Sequence, residues 1–380
     1  MKRILFTSWY RGLGGGETDL LTLADALPSS EYDCQLLLPR DGPLGQRWRQ
    51  AGRRMHIIAY RGASTYFLPA LWARFPVVRR FADLLVRERI DLVHADYHTL
   101  PMIAPAARRA GVPLCWTVWG WWFRPKPWQR AFFRGLSTVA RSKAIRAGFL
   151  GEPPFMPPEE LPVIYTGIDT RRFHPRRDGA ELRRELGLGQ DALVVAMAAR
   201  FQRVKGHHTF QNMAELVLAE APQTQFIIAG DDVFGVAGDQ RYRDQILERA
   251  QASPLLRDRL HYIGFRADIE SVYAAADVVV CASDFESYGI ANLEAMACGR
   301  PVVSSRRGGP SETILDGVTG FLVDSGDADA MAAQVLRLLR EGDLRHQMGW
   351  AAAEHATVRF SASATSTAQK RYFDELLRLN

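Results

Sequence analysis

The sequence predicts an α/β protein made of two doubly wound domains, each with a parallel β-sheet between helices. Three observations lead to this prediction. The chain of 380 residues is too long for one ordinary hydrophobic core. Short apolar runs alternate with segments of helical periodicity, and this alternation starts afresh near the middle of the chain. With 47% hydrophobic and 24% charged residues, the composition is that of a globular protein.

The N-terminal half carries the first series of predicted strands, each an apolar or β-branched run that ends in a polar residue or glycine. They lie at 4–8, 34–38, 90–95, 113–119, 137–140 and 162–166. Helical periodicity falls between them, for instance at 17–27 and 76–89. We therefore predict an N-terminal domain of residues 1–170.

The second series of strands occupies the C-terminal half. It lies at 193–199, 225–230, 260–264, 277–282, 301–305 and 320–323, with helices at 207–220, 240–250 and 327–341. These elements predict a second domain of residues 171–360, joined to the first through the polar stretch 167–179. An amphipathic segment at 364–379 predicts a C-terminal helix within residues 361–380. Because parallel sheets bind ligands at the carboxyl ends of their strands, we expect the ligand in a cleft between the domains.

The N-terminus and the cysteines favour a cytoplasmic protein. The first apolar run is broken by Arg11 and lacks the pattern of a signal peptide. No stretch approaches the ~20 apolar residues that a membrane helix requires. The four cysteines show no metal-binding spacing, so buried free thiols are expected.

The charge is divided unevenly along the chain. Residues 1–175 contain 25 Lys and Arg against 14 Asp and Glu, whereas residues 176–380 contain 23 against 28. An anionic partner of the first half is one explanation. Codon preference is the other, since 43 of the 48 basic residues are Arg. No recognised nucleic-acid-binding module is present, and a nucleic-acid partner is not expected.

The most informative stretch is 283–303. It places Glu286 in the loop after a strand, begins a helix near Gly289 and carries Glu294 in the second turn. The free N–H groups of 288–291 would form an anion site at the positive end of this helix. Glu294 would lie ~7.5 Å further along the axis, where a carboxylate suits hydroxyl groups. The alternative is an ordinary amphipathic helix that carries two solvated carboxylates.

A second group of candidate residues follows the first strand of the second domain, at 198–208. Arg200 and Lys205 leave the carboxyl end of the strand, and Gly206 permits a tight entry into the next helix. Two fixed cations there would hold a diphosphate and neutralise its charge as it leaves. Solvated surface cations are the alternative.

A glycine run at 14–16 ends the first strand of the chain and opens a helix. Gly15 and Gly16 are therefore candidates for a loop that approaches phosphate. The run lacks G-x-G-x-x-G spacing and a following P-loop lysine, and a flexible turn is the other interpretation.

Taken in order, these motifs resemble the retaining glycosyltransferases of family GT4. Glu286 and Glu294 have the spacing of the E-x7-E signature of that family. The other matches are GGGE at 14–17, VIYTGIDTRRFHP at 163–175, ARFQRVKG at 199–206 and GGPSETILDGVTGFLV at 308–323. The resemblance covers nearly the whole chain. It implies the GT-B fold, in which two Rossmann-like domains face a central cleft, the N-terminal one binding the acceptor and the C-terminal one the nucleotide sugar.

The resemblance also implies an activity and roles for residues. Such enzymes transfer a sugar from a nucleotide-sugar donor with retention of configuration, without a metal or another cofactor. Arg200 and Lys205 would hold the diphosphate, Glu286 the hydroxyls of the transferred sugar and Glu294 those of the ribose. Other donor-binding residues would be Gly15, Gly16, Phe265, Arg266, Tyr288, Gly289, Ile290 and Ala291. A UDP-sugar is favoured by its frequency in the family, and GDP-mannose is the alternative.

The chain departs from the family on the acceptor side. The family commonly has a histidine after the strand that corresponds to 113–119, and here that position is Trp119. His94 and His98, at the end of an earlier strand, are candidates to supply a polar group, or else are structural. The loop at 230–244 is longer than the common form. Its adjacent Asp231 and Asp232 are better interpreted as a turn than as a metal site.

The segment 119–135 suggests the kind of acceptor. Four Trp and three Phe are interleaved there with Arg124, Lys126, Arg130 and Arg134. This mixture suits the headgroup region of an anionic membrane. We expect an anionic saccharide or lipid-linked saccharide acceptor, with peripheral association at the inner face of the cell membrane. The alternative is that the Trp side chains pack inside the first domain while the cations stay in water.

Two other functions remain compatible with the same fold. Nucleotide-sugar epimerases share this architecture, and a catalytically silent protein would bind nucleotide sugars without reaction. The E-x7-E pair together with Arg200 and Lys205 favours a transferase over both.

Overall fold

A computed structural model describes residues 1–10, 12, 14–62, 75–120, 124–189, 191–232 and 237–378. The chain forms two compact units. The first contains Met1–Gly167 together with Ala362–Asn380, and the second contains Ile168–Ser361. Each unit has its own parallel sheet with helices on both faces, which confirms the predicted α/β class with two doubly wound sheets.

The first unit contains a six-stranded sheet in the order β3-β2-β1-β4-β5-β6, with all neighbours parallel. The strands are β1 Lys2–Thr7, β2 Tyr32–Leu38, β3 Met55–Ile57, β4 Leu92–Ala95, β5 Leu114–Val118 and β6 Ser137–Ala140. This is the Rossmann order, in which the chain reverses direction across the sheet between β1 and β4.

Two expectations for this sheet were wrong. Strand β3 was not predicted, because Met55–Ile57 is a short edge strand that is only partly buried and so lacks a strong apolar signal. The predicted strand at 162–166 is only an isolated bridge between Val163 and Ala140. Pro162 has no N–H to donate to a ladder, and its carbonyl accepts a single bond of 3.0 Å from Ala140.

The helices described in the first unit pack on both faces of its sheet. They are α1 Gly15–Ala26, α2 Pro43–Gln50, α3 Pro76–Arg87, α4 Leu100–Ala110, α5 Pro127–Arg134, α6 Lys143–Leu150 and, at the end of the chain, α15 Ala362–Arg378. Proline occupies the first position of α2, α3 and α5, where no intrahelical N–H bond is lost. Helix α15 completes one of the two cores, because Phe373 is fully buried against residues such as Ile4 and Phe6.

The second unit repeats the same architecture. Its strands are β7 Val194–Ala198, β8 Gln225–Ala229, β9 Leu260–Tyr262, β10 Val278–Cys281, β11 Val302–Ser305 and β12 Gly320–Val323. Their order, β12-β11-β10-β7-β8-β9, is again the Rossmann order. Each of the six strands predicted for this half is present.

The described helices of this unit are α7 Ala180–Glu185, α8 His207–Glu220, α9 Ala237–Ala252, α10 Ile269–Ala275, α11 Ile290–Ala297, α12 Pro310–Thr313, α13 Ala328–Arg340 and α14 Gly342–Phe360. The order of the strands reverses between β7 and β10. The loops that follow these two neighbouring strands therefore diverge and leave a crevice at the carboxyl edge of the sheet.

The four cysteines are free thiols, of which Cys34, Cys115 and Cys298 are buried and Cys281 is half-buried. Within the described ranges, no helix has both the length and the apolar character needed to cross a bilayer.

Candidate functional site

The crevice of the second unit begins with the loop after β7. Arg200 is half-buried in this loop, and Lys205 ends a short 3₁₀ turn. Gly206 follows with a φ of +70°, and a Cβ at this position would collide with the carbonyl oxygen of Ala282. A glycine is therefore required for the loops after β7 and β10 to approach each other.

The approach of these loops brings Lys205 and Glu286 together. Lys205 Nζ lies 2.6 Å from Glu286 Oε2, and Ser283 Oγ donates to the same oxygen at 3.2 Å. Only 19% and 16% of the two charged side chains are exposed, so the ion pair is only lightly screened by water. The predicted cation and the predicted carboxylate thus face one crevice.

Two glycines that open the matched segment 308–323, but were not proposed as site residues, support Glu286. The backbone of Glu286 pairs with Gly308, and its carbonyl accepts from Gly309 N–H at 2.8 Å. Gly308 has a φ of +103°, and a Cβ at Gly309 would collide with the backbone of Tyr288. Their adjacency before Pro310 was the signal in the sequence for a close backbone contact.

Helix α11 starts at this same point. Gly289, with a φ of +88°, caps the helix, and its carbonyl accepts from the N–H groups of Asn292 and Leu293. The N–H groups of Ile290 and Ala291 precede these bonds in the first turn, where a helix has no acceptors of its own. The positive end of α11 therefore lies beside Glu286.

Glu294 lies one turn further along α11 and is buried, with 9% of the residue exposed. Tyr273 Oη donates to its Oε2 at 3.0 Å. Burial raises the pKa of Glu294 to about 7, although the Tyr273 hydrogen bond and the nearby Arg172 oppose that rise. Arg172 itself bonds Glu270 at 2.6 and 2.8 Å. Arg172 lies in the matched segment 163–175 but was not proposed as a site residue, and Tyr273 lies in none of the matched segments.

The turn after β9 differs from the expectation in one respect. Phe265 is 60% exposed, which leaves its ring accessible. Arg266, however, bonds both oxygens of Asp268 at 3.0 Å and those of Glu185 at 2.8 and 3.1 Å. Its charge is therefore already compensated by two carboxylates.

Asp231 and Asp232, after β8, are both bonded by Arg243. Among the residues that the structure describes, no group of three His, Cys, Asp or Glu side chains is arranged to hold a metal. Part of the long loop at 230–244 lies outside the described residues, which resume at 237.

The glycine run of the first unit forms the start of α1. A Cβ at Gly16 would lie 3.0 Å from the ring of Trp119, so the indole rests directly on this glycine. Trp119 Nε1–H donates to Asp19 at 2.9 Å, and Arg141 bonds the same carboxylate oxygen. Asp19 and Arg141, each 3% exposed, were missed by the sequence analysis. Arg141 holds Asp19, and Asp19 orients Trp119 at the position where the family commonly has histidine.

The two candidate histidines have different surroundings. His94 is 1% exposed, bonds Thr117 at 2.8 Å and packs against the rings of Phe6 and Phe373. Burial lowers its pKa to about 3, so the ring is neutral. His98 instead is half-buried in the loop after β4, with Nε2 at 3.0 Å from the hydroxyl of Tyr10. The structure therefore brings Gly16 and Trp119 together, and His98 together with aromatic residues that were not predicted.

Two family models match this chain over adjoining segments. The model described as glycosyltransferase family 4 matches residues 13–172. The model described as glycosyl transferases group 1 matches residues 178–355.

Among curated proteins, the chain is similar to D-inositol 3-phosphate glycosyltransferases. It is 30% identical to that of Streptomyces scabiei over an alignment of 299 residues, which covers 73% of this chain and 67% of the relative. It is 32% identical to that of Corynebacterium kroppenstedtii over 228 residues, which are 58% of this chain and 49% of the relative. The chain spans about half the length of the corynebacterial relatives it matches.

Among solved structures, the chain is similar to HepE from Anabaena in complex with UDP and glucose. The identity is 25% and the TM-score 0.81, with 98% of this chain and 100% of that chain covered.

Proposed function

The chain belongs to the glycosyl transferases group 1 family, and from that membership we propose that it transfers a sugar from a nucleotide-sugar donor to a saccharide or lipid-linked saccharide acceptor. The observation that carries the proposal is the crevice between β7 and β10. There the Lys205–Glu286 ion pair, 2.6 Å long, lies beside the N-terminus of α11.

Each part of this crevice suits one part of a nucleotide sugar. A diphosphate would accept from the first N–H groups of α11 and compete with Glu286 for Lys205. Glu286 would then accept from the hydroxyls of the sugar, and Glu294 from those of the ribose. Tyr273 donates a hydrogen bond to the Glu294 carboxyl. Tyr273 and Arg172 both oppose the rise in its pKa and so favour the ionised form that this role requires.

We favour UDP as the nucleotide. The similarity to HepE, solved with UDP and glucose, extends over 98% of this chain and supports this choice. The exposed ring of Phe265, in the turn after β9, is suited to stack on a base. Arg266 would contact the base only through atoms not engaged by Asp268 and Glu185.

For the chemistry we propose transfer with retention of configuration and without a divalent cation. Lys205 and Arg200 supply positive charge where the departing diphosphate becomes negative. Asp231 and Asp232, the carboxylate pair closest to a metal motif in the sequence, are already bonded to Arg243.

The test is a panel of UDP- and GDP-sugars incubated with the protein, with and without a cell lipid extract. Release of free UDP together with a new glycoside is expected in the presence of EDTA, and NMR of the anomeric proton reports the configuration. Release of GDP would identify the alternative donor, and an epimerised donor without transfer would contradict the proposal.

The role of Glu294 is tested by binding. Glu294→Ala should weaken UDP binding about tenfold, as measured by calorimetry, since it loses hydrogen bonds to a charged group.

For the acceptor we propose an anionic saccharide or lipid-linked saccharide that is reached at a membrane surface. In the segment 119–135, Trp128 is 47% exposed on α5, and Arg124 and Lys126 before it are also exposed. Phe133 is fully buried in the core, so one of the aromatic residues serves packing instead. Trp121, Trp122 and Phe123 lie outside the described residues.

Co-sedimentation with vesicles containing anionic lipid tests this part separately. Binding should fall as salt rises, and Trp128→Ala or Arg124→Glu should weaken it. Trp350→Ala is the matched control, because Trp350 is 72% exposed on α14 of the other unit. If the wild-type protein does not bind anionic vesicles at low salt, the membrane-surface proposal is contradicted and a water-soluble acceptor is favoured instead.

A further inference from the structure

The carboxyl edge of the first sheet carries a group of aromatic side chains on the loops that follow β1 and β4. Thr7 Oγ1 at the end of β1 donates to Asp96 Oδ1 after β4 at 2.8 Å, and it accepts from Asp96 N–H at 3.0 Å. These bonds bring the loops at 8–10 and 96–98 side by side at the point where the strand order reverses. In doubly wound sheets, ligands bind at this point.

Three rings meet here. The centroids of Trp9 and His98 are 4.9 Å apart, and that of Tyr10 is 5.2 Å from each of the other two. The hydroxyl of Tyr10 lies 3.0 Å from Nε2 of His98. We call Trp9, Tyr10 and His98 the aromatic platform.

The backbone on both sides of the aromatic platform is held in place. Asp96 Oδ2 accepts from His98 N–H at 2.9 Å, and Ser8 Oγ donates to the Tyr10 carbonyl at 2.9 Å. The main chain at Gly62 passes under the indole of Trp9, where a Cβ would lie 2.5 Å from Nε1. Rings fixed in this way lose little freedom when a ligand binds.

The aromatic platform is not part of the core. Tyr10 is 37% exposed, and Trp9 and His98 are half-buried, whereas the core rings of Phe6 and Phe133 are fully buried. An exposed aromatic group on a ligand-binding edge indicates a contact surface. A pyranose ring matches it chemically, because one face carries C–H groups that pack on an aromatic ring while its hydroxyls reach polar atoms at the rim.

We propose that Trp9, Tyr10 and His98 bind the acceptor by stacking on one of its pyranose rings, with the Tyr10 hydroxyl and the His98 imidazole bonded to sugar hydroxyls. This inference rests on the proposed function for the identity of the ligand as acceptor. The acceptor class it names is a saccharide that presents an apolar ring face. A phosphate or pyrophosphate group alone would not use this surface.

The experiment is saturation-transfer-difference NMR of the full chain with the methyl glycosides of glucose, galactose, mannose and N-acetylglucosamine, with UDP present. At least one glycoside should receive saturation on its ring protons. Tyr10→Ala should weaken its affinity about fivefold, and Tyr10→Phe should weaken it less because the ring remains. Trp350→Ala, a change of an exposed aromatic residue in the second unit, should match wild type.

Two outcomes would overturn the inference: no saturation transfer to any glycoside by the wild-type protein, or the same glycoside affinity in Tyr10→Ala as in wild type. A Trp9→Leu variant gives a second measurement if it folds, and Tyr10→Ala suffices if it does not, since that side chain is substantially exposed. Calorimetry with UDP is done on the same samples and should give the same affinity for wild type and Tyr10→Ala. If the wild-type protein binds a glycoside but not UDP, the proposed donor function is contradicted, whereas the proposal that the aromatic platform binds a saccharide is not.

Discussion

At the scale of single residues, Glu294 shows how its environment changes a carboxyl group. Burial raises its pKa from 4.5 to about 7, and Tyr273 and Arg172 offset part of that rise, whereas Glu270 adds to it. At a pH between these two pKa values, the Glu294 carboxyl has lost its proton in the unfolded chain but retains it in the folded protein. The folded state therefore binds more protons, and the stability contributed by this group falls as the pH rises.

Glu294→Gln should remove this pH dependence. Below pH 4.5 the variant and the wild type should differ by a constant free energy of unfolding. From there to about pH 7 the wild type should lose up to about 3 kcal/mol relative to the variant, since one pH unit corresponds to about 1.4 kcal/mol. Urea unfolding at pH 4.5, 6 and 8 measures the difference. Parallel pH profiles for the two proteins would contradict a buried, proton-binding Glu294.

A second residue-scale prediction concerns Lys205. If it stabilises the departing diphosphate, Lys205→Ala should lower kcat by about 10² or more. The substitution also removes the 2.6 Å ion pair with Glu286, so thermal unfolding must show that the variant is folded under the assay conditions. Lys370→Ala is the control, because it also removes a lysine ion pair, here with Glu31, but in the first unit and not in the second. Activity within a few-fold of wild type would exclude Lys205 from the reaction.

At the scale of elements, the packing of the β7 and β10 loops depends on Gly206. Gly206 and Gly187 have nearly the same positive φ, +70° and +66°. A Cβ at Gly206 would meet the carbonyl oxygen of Ala282, whereas one at Gly187 would meet nothing within 4 Å. The pair therefore separates the cost of the left-handed backbone from the cost of the steric clash.

Gly187→Ala should destabilise the protein by about 1 kcal/mol, the cost of a left-handed conformation for a residue with a Cβ. Gly206→Ala should cost more than that, and it should also weaken UDP binding because the loop that carries Lys205 must move. Chemical unfolding and calorimetry give both quantities. Equal free energies of unfolding for the two variants would mean that the loop relaxes without cost.

At the scale of the whole molecule, the last helix of the chain belongs to the first unit. Asp374 of α15 accepts bonds of 2.6 Å from both Lys2 and Tyr32, and Gln369 bonds the buried Arg141 at 3.0 Å. Phe373 is fully buried. The second unit is therefore inserted, in sequence, between the two parts of the first.

Phe373→Ala should destabilise the first unit by about 3 to 5 kcal/mol, since it leaves a cavity in the core. Hydrogen exchange should accelerate in the strands of residues 1–167 and stay unchanged in those of 168–361. Trp350→Ala, an exposed aromatic change, is the control and should have little effect. Faster exchange in both units to the same extent would mean that they unfold as one cooperative block.

Much of the fold follows from local patterns. Among the residues that the structure describes, the alternation of apolar runs with helical periodicity predicted every strand of the second unit and all but β3 in the first. The run at 162–166 was wrongly predicted as a strand. The spacing of Glu286 and Glu294 and that of Arg200 and Lys205 indicated the crevice, because a loop and a helix after parallel strands bring such residues to one edge of the sheet.

The sequence by itself therefore determined the class of the fold, the family and the candidate residues that lie on short contiguous motifs. Only the tertiary structure decided which partners surround them. The hydroxyl of Tyr273 on Glu294, the carboxylate of Glu185 on Arg266 and the burial of His94 all come from segments distant in the chain. The same holds for the meeting of Trp9 with His98 and for the place of α15. Periodicity and spacing report how each segment folds locally, whereas burial and pairing depend on which segments the sheet order brings together.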